Sequence, residues 1–369
     1  MKLSVQRSEL TAKLALASRA LSTRHAIQAL SGILLTAGPD GVTLRATDNE
    51  VGISARLDAQ VEGEGSILLP GRLLADVART LSAERVELEP RPEQHDVELR
   101  CGGSSFHLRS LPAEDFPPFP TAEEGKVATL PASVMVATIE QVVKAASRDD
   151  MRPVLTGVLV SFSEGKLTMV ATDSYRLSVK HTPVEGAVEG DLEANIPARV
   201  LGELARVVGA EGAETVEITL LGGQAIFKVG EVEMSTVLID GQFPNYRQLL
   251  PESFEHEVRV NRAELLEVTR RVGQLAQRNV PIQLTFRPGE LTVSASTPDL
   301  GDAEETIPVP FEGEEMAMGF NPDYLIDGID SVGGEEFLLR LISPLRPCLI
   351  QALDDSDFTY LVMPIRLNT

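Results

Sequence analysis

The sequence lacks most of what reaction chemistry usually needs. Its 369 residues include two cysteines, Cys101 and Cys348. Both stand in strand-like contexts far apart in the chain, which favours buried free thiols over a disulfide or a metal site. Five histidines, at 25, 95, 107, 181 and 256, are scattered without metal-ligand spacing, and HExxH is missing, so no metal is expected. The phosphate-cradling patterns GxGxxG and GxxxxGK[ST] and the hydrolase pattern GxSxG are missing as well, and no cofactor is expected. No apolar run reaches the roughly 18 residues of a membrane span. The opening stretch MKLSVQRSEL is charged where a signal peptide is apolar, so a soluble cytoplasmic protein is expected. Basic residues are scarce, with 33 Lys and Arg against 55 Asp and Glu and a net charge of −22. That balance argues against a generally basic nucleic-acid-coating exterior, though not against a local surface of the other sign.

What is present is repetition. Residues 30–48 (LSGILLTAGPDGVTLRATD) align with 155–173 (LTGVLVSFSEGKLTMVATD) without a gap at an offset of 125, and seven of the 19 positions are identical. In each copy alternating apolar residues flank a turn and lead to Ala-Thr-Asp, the pattern of a strand pair ending in a polar loop. After Asp48 the apolar alternation resumes one residue out of phase with that after Asp173. The second copy alone continues into Tyr175, Arg176 and Leu177.

The repeat extends well beyond this hairpin. Leu10, Leu14, Ala17 and Leu21 have helical spacing, with Ser8 as expected N-cap. A second helix is expected over Gly71–Leu81. In the middle of the chain helices are expected over Ser133–Ala146 and after Pro197, whose counterpart is Pro70, each proline at a first helical turn where it is tolerated. The last third repeats the plan more faintly, with helices over Asn261–Gln277 and from Asn321. Proline-rich ends, Phe116-Pro117-Pro118-Phe119-Pro120 and Phe243-Pro244, close the first two units. A period near 125 is too long for a solenoid, so whole domains are repeated: 1–124, 128–253 and 256–369. The fold class is α+β, with two helices packed on antiparallel sheet in each domain.

Charge separates the helices from the rest. Six helical segments with their flanking loops sum to +4 and leave −26 for the remainder, although the last helix, with Asp323, Asp327 and Asp330, is itself acidic. A shared helical face would be the least acidic surface, able to hold phosphates loosely. The most enzyme-like constellation is Asp173 with Arg176, and the plainer reading of Asp48 and Asp173 is that each bonds the backbone of its own turn.

On four stretches the chain resembles the bacterial DNA polymerase III beta subunits, the sliding clamps. These are Leu155-Thr156-Gly157, Ala171 to Leu177, Asp240 to Arg247, and Val362 to Leu367, set in a threefold plan over the full length. The resemblance implies a non-catalytic, head-to-tail homodimeric ring with helices lining a hole for duplex DNA. It would hold the replicative polymerase, the clamp loader and repair proteins by short peptides, so conferring processivity. By similarity Arg24, Arg72, Arg148, Arg152, Arg199 and Arg206 face the DNA. The peptide groove would comprise Leu155, Thr172, Ser174, Tyr175, Arg176, Leu177, Pro244, Gln248, Leu249, Val362, Met363, Pro364, Ile365, Arg366 and Leu367. Ring closure would use Phe106 and Leu108 against Leu275 of the other copy. Three departures stand out: Pro153-Val154 where members often carry aromatic residues, Tyr175 where many have histidine, and the extension Asn368-Thr369. Two other functions fit the residues less well: a scaffold that recruits peptides without encircling DNA, and an interdomain enzyme built on Asp173 and Arg176.

Overall fold

The computed structural model describes residues 1–22, 27–120, 126–184, 192–276, 280–353 and 357–367. Its helices are α1 (Arg7–Ala17), α2 (Gly71–Thr80), α3 (Ala132–Val142), α4 (Ala198–Glu211), α5 (Arg262–Val272) and α6 (Pro322–Ser331). Short 3₁₀ turns prolong α1, α3 and α5, so the expected helices over 133–146 and 261–277 end sooner as α-helix. Helix α1 also starts two residues earlier than expected, with Gln6 rather than Ser8 at the cap. The reason is tertiary: the Arg7 backbone N–H, which a cap would otherwise have to serve, donates to Glu84 O at 2.7 Å. Asn261 and Asn321 do cap α5 and α6 with their side chains.

The first repeat supplies strands β1 (Lys2–Gln6), β2 (Gly32–Gly38), β3 (Gly41–Thr47), β4 (Val51–Leu57), β5 (Ala59–Glu62), β6 (Gly65–Pro70), β7 (Arg85–Arg91), β8 (Asp96–Cys101) and β9 (Ser104–Arg109). The second supplies β10 (Lys126–Pro131), β11 (Gly157–Ser163), β12 (Lys166–Thr172), β13 (Arg176–Pro183), β14 (Leu192–Pro197), β15 (Thr215–Leu221), β16 (Gln224–Val229) and β17 (Val232–Val237). The third supplies β18 (His256–Asn261), β19 (Ile282–Arg287), β20 (Glu290–Thr297), β21 (Gly301–Pro308), β22 (Met316–Phe320), β23 (Glu336–Leu341), β24 (Cys348–Ala352) and β25 (Phe358–Val362). The repeated hairpin is thus β2–β3 and β11–β12 at the expected offset. Between β11 and β12, Glu164 and Gly165 both have positive φ, 52° and 72°, the backbone twist that a two-residue turn needs.

By compactness the chain divides into two units, so the middle repeat contributes to both. One holds residues 1–135 with 203–238, the other residues 136–202 with 239–369. In the first unit the sheets run β5-β1-β7-β8-β9 and β10-β15-β16-β17-β4-β3-β2-β6. The eight-stranded sheet therefore joins strands of the first and second repeats through the β4–β17 pair. Helix α1 packs against α2 and across β3 and β4, burying Leu10, Leu14 and Ala17 as its spacing requires. Lys13 is buried too, its charge met by Glu211 of α4 at 2.9 Å.

In the second unit the sheets run β14-β11-β12-β13-β25-β24-β23-β18 and β21-β20-β19-β22. Here the eight-stranded sheet joins the second and third repeats through β13 and β25. Helix α6 packs on β25. Gly328 permits this, because a Cβ there would stand 2.6 Å from the Tyr360 ring.

Both cysteines are buried and free, as their strand contexts suggested. Burial pushes the Cys348 thiol up to about 12, so the reactive thiolate is scarce near neutrality. A thiol reagent applied at about pH 8 is expected to label neither cysteine in the folded protein and both after denaturation. Rapid labelling of Cys348 in the native state would contradict the burial.

Candidate functional site

One polar turn is built twice, once in each unit. In both copies an aspartate Oδ1 accepts from two backbone N–H groups beyond it. Asp48 takes those of Glu50 and Val51 at 3.1 and 2.8 Å, and Asp173 those of Tyr175 and Arg176 at 2.9 and 3.0 Å. Thr47 Oγ1 donates to Val51 O at 2.9 Å, and Thr172 Oγ1 to Arg176 O at 2.7 Å. Asn49 and Ser174 both take left-handed φ, 74° and 79°. The backbone-bonding role expected for both aspartates is therefore what these contacts show. The turns are equal in length, so Val51 corresponds to Arg176 and Gly52 to Leu177. The apparent phase slip lies in the side chains alone.

Those side chains make different surfaces. In the first unit Gly52 leaves room for Phe119, whose Cε2 would be 2.8 Å from a Cβ at 52. Arg45 lies over that ring, 5.5 Å from its centroid. A cavity of only about 150 Å³ remains, lined by Asn49, Glu50, Pro118 and Val237 among others. In the second unit Leu177 instead joins Val170, Val179, Tyr246, Leu349 and Leu361 in an apolar cluster, with Phe243, Leu250 and Phe254 packed beside it.

The C-terminal stretch runs along the edge of this second surface and is pinned twice. The Met363 N–H donates to Tyr175 O and the Ile365 N–H to Gly319 O, both at 2.8 Å. Gly319 is required here, since a Cβ would meet Leu367 Cδ2 at 2.7 Å and Ile365 O at 2.9 Å. Tyr175, Leu249, Met363 and Ile365 remain exposed at 59, 50, 38 and 38%. Exposed apolar side chains beside a fixed backbone, over an apolar floor, are what an extended peptide needs.

Arg176 is buried, 6% exposed. Its Nε donates to Asp173 Oδ2 at 3.0 Å and an Nη to Asp327 Oδ2 of α6 at 2.6 Å. Its guanidinium lies 4.2 Å from the centroid of the Tyr324 ring. Burial opposes its charge, but the Tyr360 oxygen and the carboxylates of Asp327 and Asp173 outweigh that and raise its affinity for its proton. Burial also raises Tyr360, whose hydroxyl donates to Tyr324 O at 2.9 Å. Beside this network opens a cavity of about 630 Å³ lined by Arg148, Asp149, Arg152, Tyr175, Asp323, Tyr324 and Asp327 among others. The suggested enzyme pair is thus committed to structure, because Asp173 holds two backbone N–H groups and the buried Arg176 at once.

The expected groove residues divide by depth. Leu155, Thr172, Arg176, Leu177 and Val362 are buried and form the floor or its supports. Ser174, Tyr175, Pro244, Gln248, Leu249, Met363, Ile365 and Arg366 are exposed, with Pro364 and Leu367 half-buried. Residues Tyr324 and Asp327 were missed by sequence reasoning, although the acidic pattern of α6 marked the helix that carries them. Asn368-Thr369 lie outside the described residues.

Of the expected phosphate-facing arginines, Arg24 also lies outside the described residues. Arg72, Arg148, Arg152, Arg199 and Arg206 are all exposed. Among the described residues no carboxylate pairs with Arg72 or Arg148, whereas Arg206 pairs with Glu203 and Arg152 with Asp149. Arg152 also donates to Ser174 Oγ at 3.0 Å. The strand expected to close a ring, β9, is a sheet edge, but its two apolar side chains are unequal. Leu108 is 5% exposed and belongs to its own core, while Phe106 is half-buried. Leu275 is half-buried at the end of the turn after α5.

A chain made of one sheet-and-helix plan used three times, with exposed sheet edges and an apolar surface seated beside its terminus, is a binding and assembly protein of clamp architecture. Three successive domains of the DNA polymerase III beta subunit match it: N-terminal over residues 1–120, central over 129–245 and C-terminal over 247–366. The beta sliding clamp of Streptomyces coelicolor is 32% identical over 385 residues, covering all of both chains. The solved sliding clamp of Bacillus subtilis superposes with a TM-score of 0.94 at 29% identity, and a Pseudomonas aeruginosa clamp bound to griselimycin with 0.92 at 28%, each over all of both chains. The chain belongs to the DNA polymerase III beta subunit family, the beta sliding clamps, and its function is that of a sliding clamp in DNA replication. Its fold is that of three clamp domains.

Proposed function

We propose that two copies of the chain close head to tail into a ring around duplex DNA and that each copy holds partners by a peptide groove at Tyr175, Leu249, Met363 and Ile365. Sheet pairing supports the ring. Each internal repeat boundary is bridged by an eight-stranded sheet, while the remaining sheets, of five and four strands, end in the open edges β9 and β21. A second chain supplies the missing third bridge if β9 of one copy meets β21 of the other. Their charges complement each other: His107 and Arg109 are exposed on β9, Asp302 and Glu304 on β21. Phe106 and Leu275 then meet at the joint, and the domains run over 1–124, 128–253 and 256–369.

A ring needs no catalytic group, and the protein acts as a non-enzymatic cytoplasmic processivity subunit. It works by linkage, since duplex cannot leave sideways. Arg72, Arg148, Arg152, Arg199 and Arg206, with Arg24, supply loose, sequence-independent phosphate contacts that permit sliding. Polymerase, clamp loader and repair proteins dock in the groove by short apolar peptides, and griselimycin, which the Pseudomonas aeruginosa clamp binds, is taken as the probe for it.

The topological test uses nicked circular duplex and a clamp loader. The loaded protein is expected to stay on the circle through gel filtration and to be lost within one passage once the circle is linearised. Equal retention on both forms would favour a scaffold that does not encircle DNA.

A further inference from the structure

Helices α2, α4 and α6 each carry an acid as their sixth residue: Asp76, Glu203 and Asp327. In the first two the residue three positions on is an arginine, and it pairs with that acid: Arg79 with Asp76 at 2.7 Å, Arg206 with Glu203. In α6 this position is Asp330. It cannot pair with Asp327, and it draws Lys144, Arg262 and Arg270 instead, at 2.5, 3.6 and 3.7 Å. The hydrogen bond from Lys144 holds the Asp330 carboxyl below its ordinary range. Asp327 is thereby left to take Arg176, 2.6 Å away, which comes from the lip of the groove.

The polar turn itself does not require this arginine. The first copy forms the same hydrogen bonds with Val51 in its place. The Arg176–Asp327 pair is therefore an addition particular to the open surface. We propose, on the basis of the peptide-groove reading, that Asp327 is a positioning residue for partner binding: from α6 it holds Arg176, and through it the Ser174-Tyr175 lip, in the receptive arrangement. Without the Asp327 charge Arg176 keeps its burial and only one carboxylate. A buried cation so left relieves its desolvation by moving toward solvent. The way out is the cavity of about 630 Å³ that Tyr175 borders, so the lip moves with it. On this view the acidity of α6 serves the groove rather than the duplex.

The test measures griselimycin binding to the full chain by titration calorimetry. Asp327→Asn is expected to weaken binding about tenfold, ~1.4 kcal/mol, with Asp327→Glu regaining most of the loss and Glu264→Gln, an exposed acid of α5 away from that cavity, without effect. In a double-mutant cycle Asp327→Asn should add little to Arg176→Gln, because both break one linkage. Unchanged affinity in Asp327→Asn, or an equal loss in Glu264→Gln, overturns the proposal. If Asp327→Asn fails to fold, Asp327→Glu decides: affinity as weak as that of Arg176→Gln overturns the proposal, and near-native affinity supports it. Failure of the unaltered chain to bind griselimycin would instead refute the groove reading beneath it.

Discussion

A chain ended at Val362 is expected to bind griselimycin at least about a hundredfold more weakly than the full chain, ~2.7 kcal/mol, and to keep its fold. The cut falls after β25, so the Arg176↔Val362 and Leu177↔Leu361 pairs that hold the sheet together survive. What is removed is the terminal stretch pinned at Tyr175 O and Gly319 O, with the exposed Met363 and Ile365. Two apolar side chains covered by a ligand contribute about 1.5–3 kcal/mol each when fully buried, and partial cover of both accounts for the expected loss. Met363 has three rotatable bonds and a polarizable sulfur, which suits it to close over ligands of different shape. Surface plasmon resonance gives the affinity and thermal melting the integrity. A melting point near that of the full chain with affinity changed by less than about threefold would remove the terminus from the site.

Phe106→Asp is expected to turn the dimer into monomer, raising the dissociation constant about a thousandfold or more, ~4 kcal/mol. Aromatic side chains at the centre of an interface dominate its energy. The replacement also sets a carboxylate against an edge that already carries Asp302 and Glu304, where like charges repel. Because Phe106 is only half-buried on an edge strand, while its neighbour Leu108 holds the core, the monomer should stay folded. Sedimentation velocity reads the mass. Griselimycin affinity, measured on the same sample, should not change, since the groove lies within one chain. A dimer that persists at nanomolar concentration would displace the joint from β9.

Much of this architecture was legible because it rests on local pattern. Alternating residues and the Ala-Thr-Asp endings located the hairpins β2–β3 and β11–β12, and Asn321 before Pro322 announced the start of α6. The aspartates could be assigned to their own turns because their partners are two and three residues away. The fate of Arg176 was not legible, since its second carboxylate is 151 residues distant. Nor was that of Phe119: a proline-rich ending reads as irregular chain, and nothing local tells that its ring settles over Gly52. Strand alternation put Phe106 and Leu108 on one face, yet how far the core covers each depends on the neighbouring sheet. The N-cap of α1 was misplaced for the same kind of reason, through a backbone partner at Glu84.

Phe119 over Gly52 has a consequence for counting. The duplication that produced the two polar turns would by itself have given every chain two receptive surfaces, and the ring four. With one copy stoppered by the chain's own aromatic ring, under Arg45, each chain keeps a single copy of the proposed groove. In the proposed ring a closed pair of chains is then bivalent: it would carry two clients at once, and a third would wait for one of them to leave.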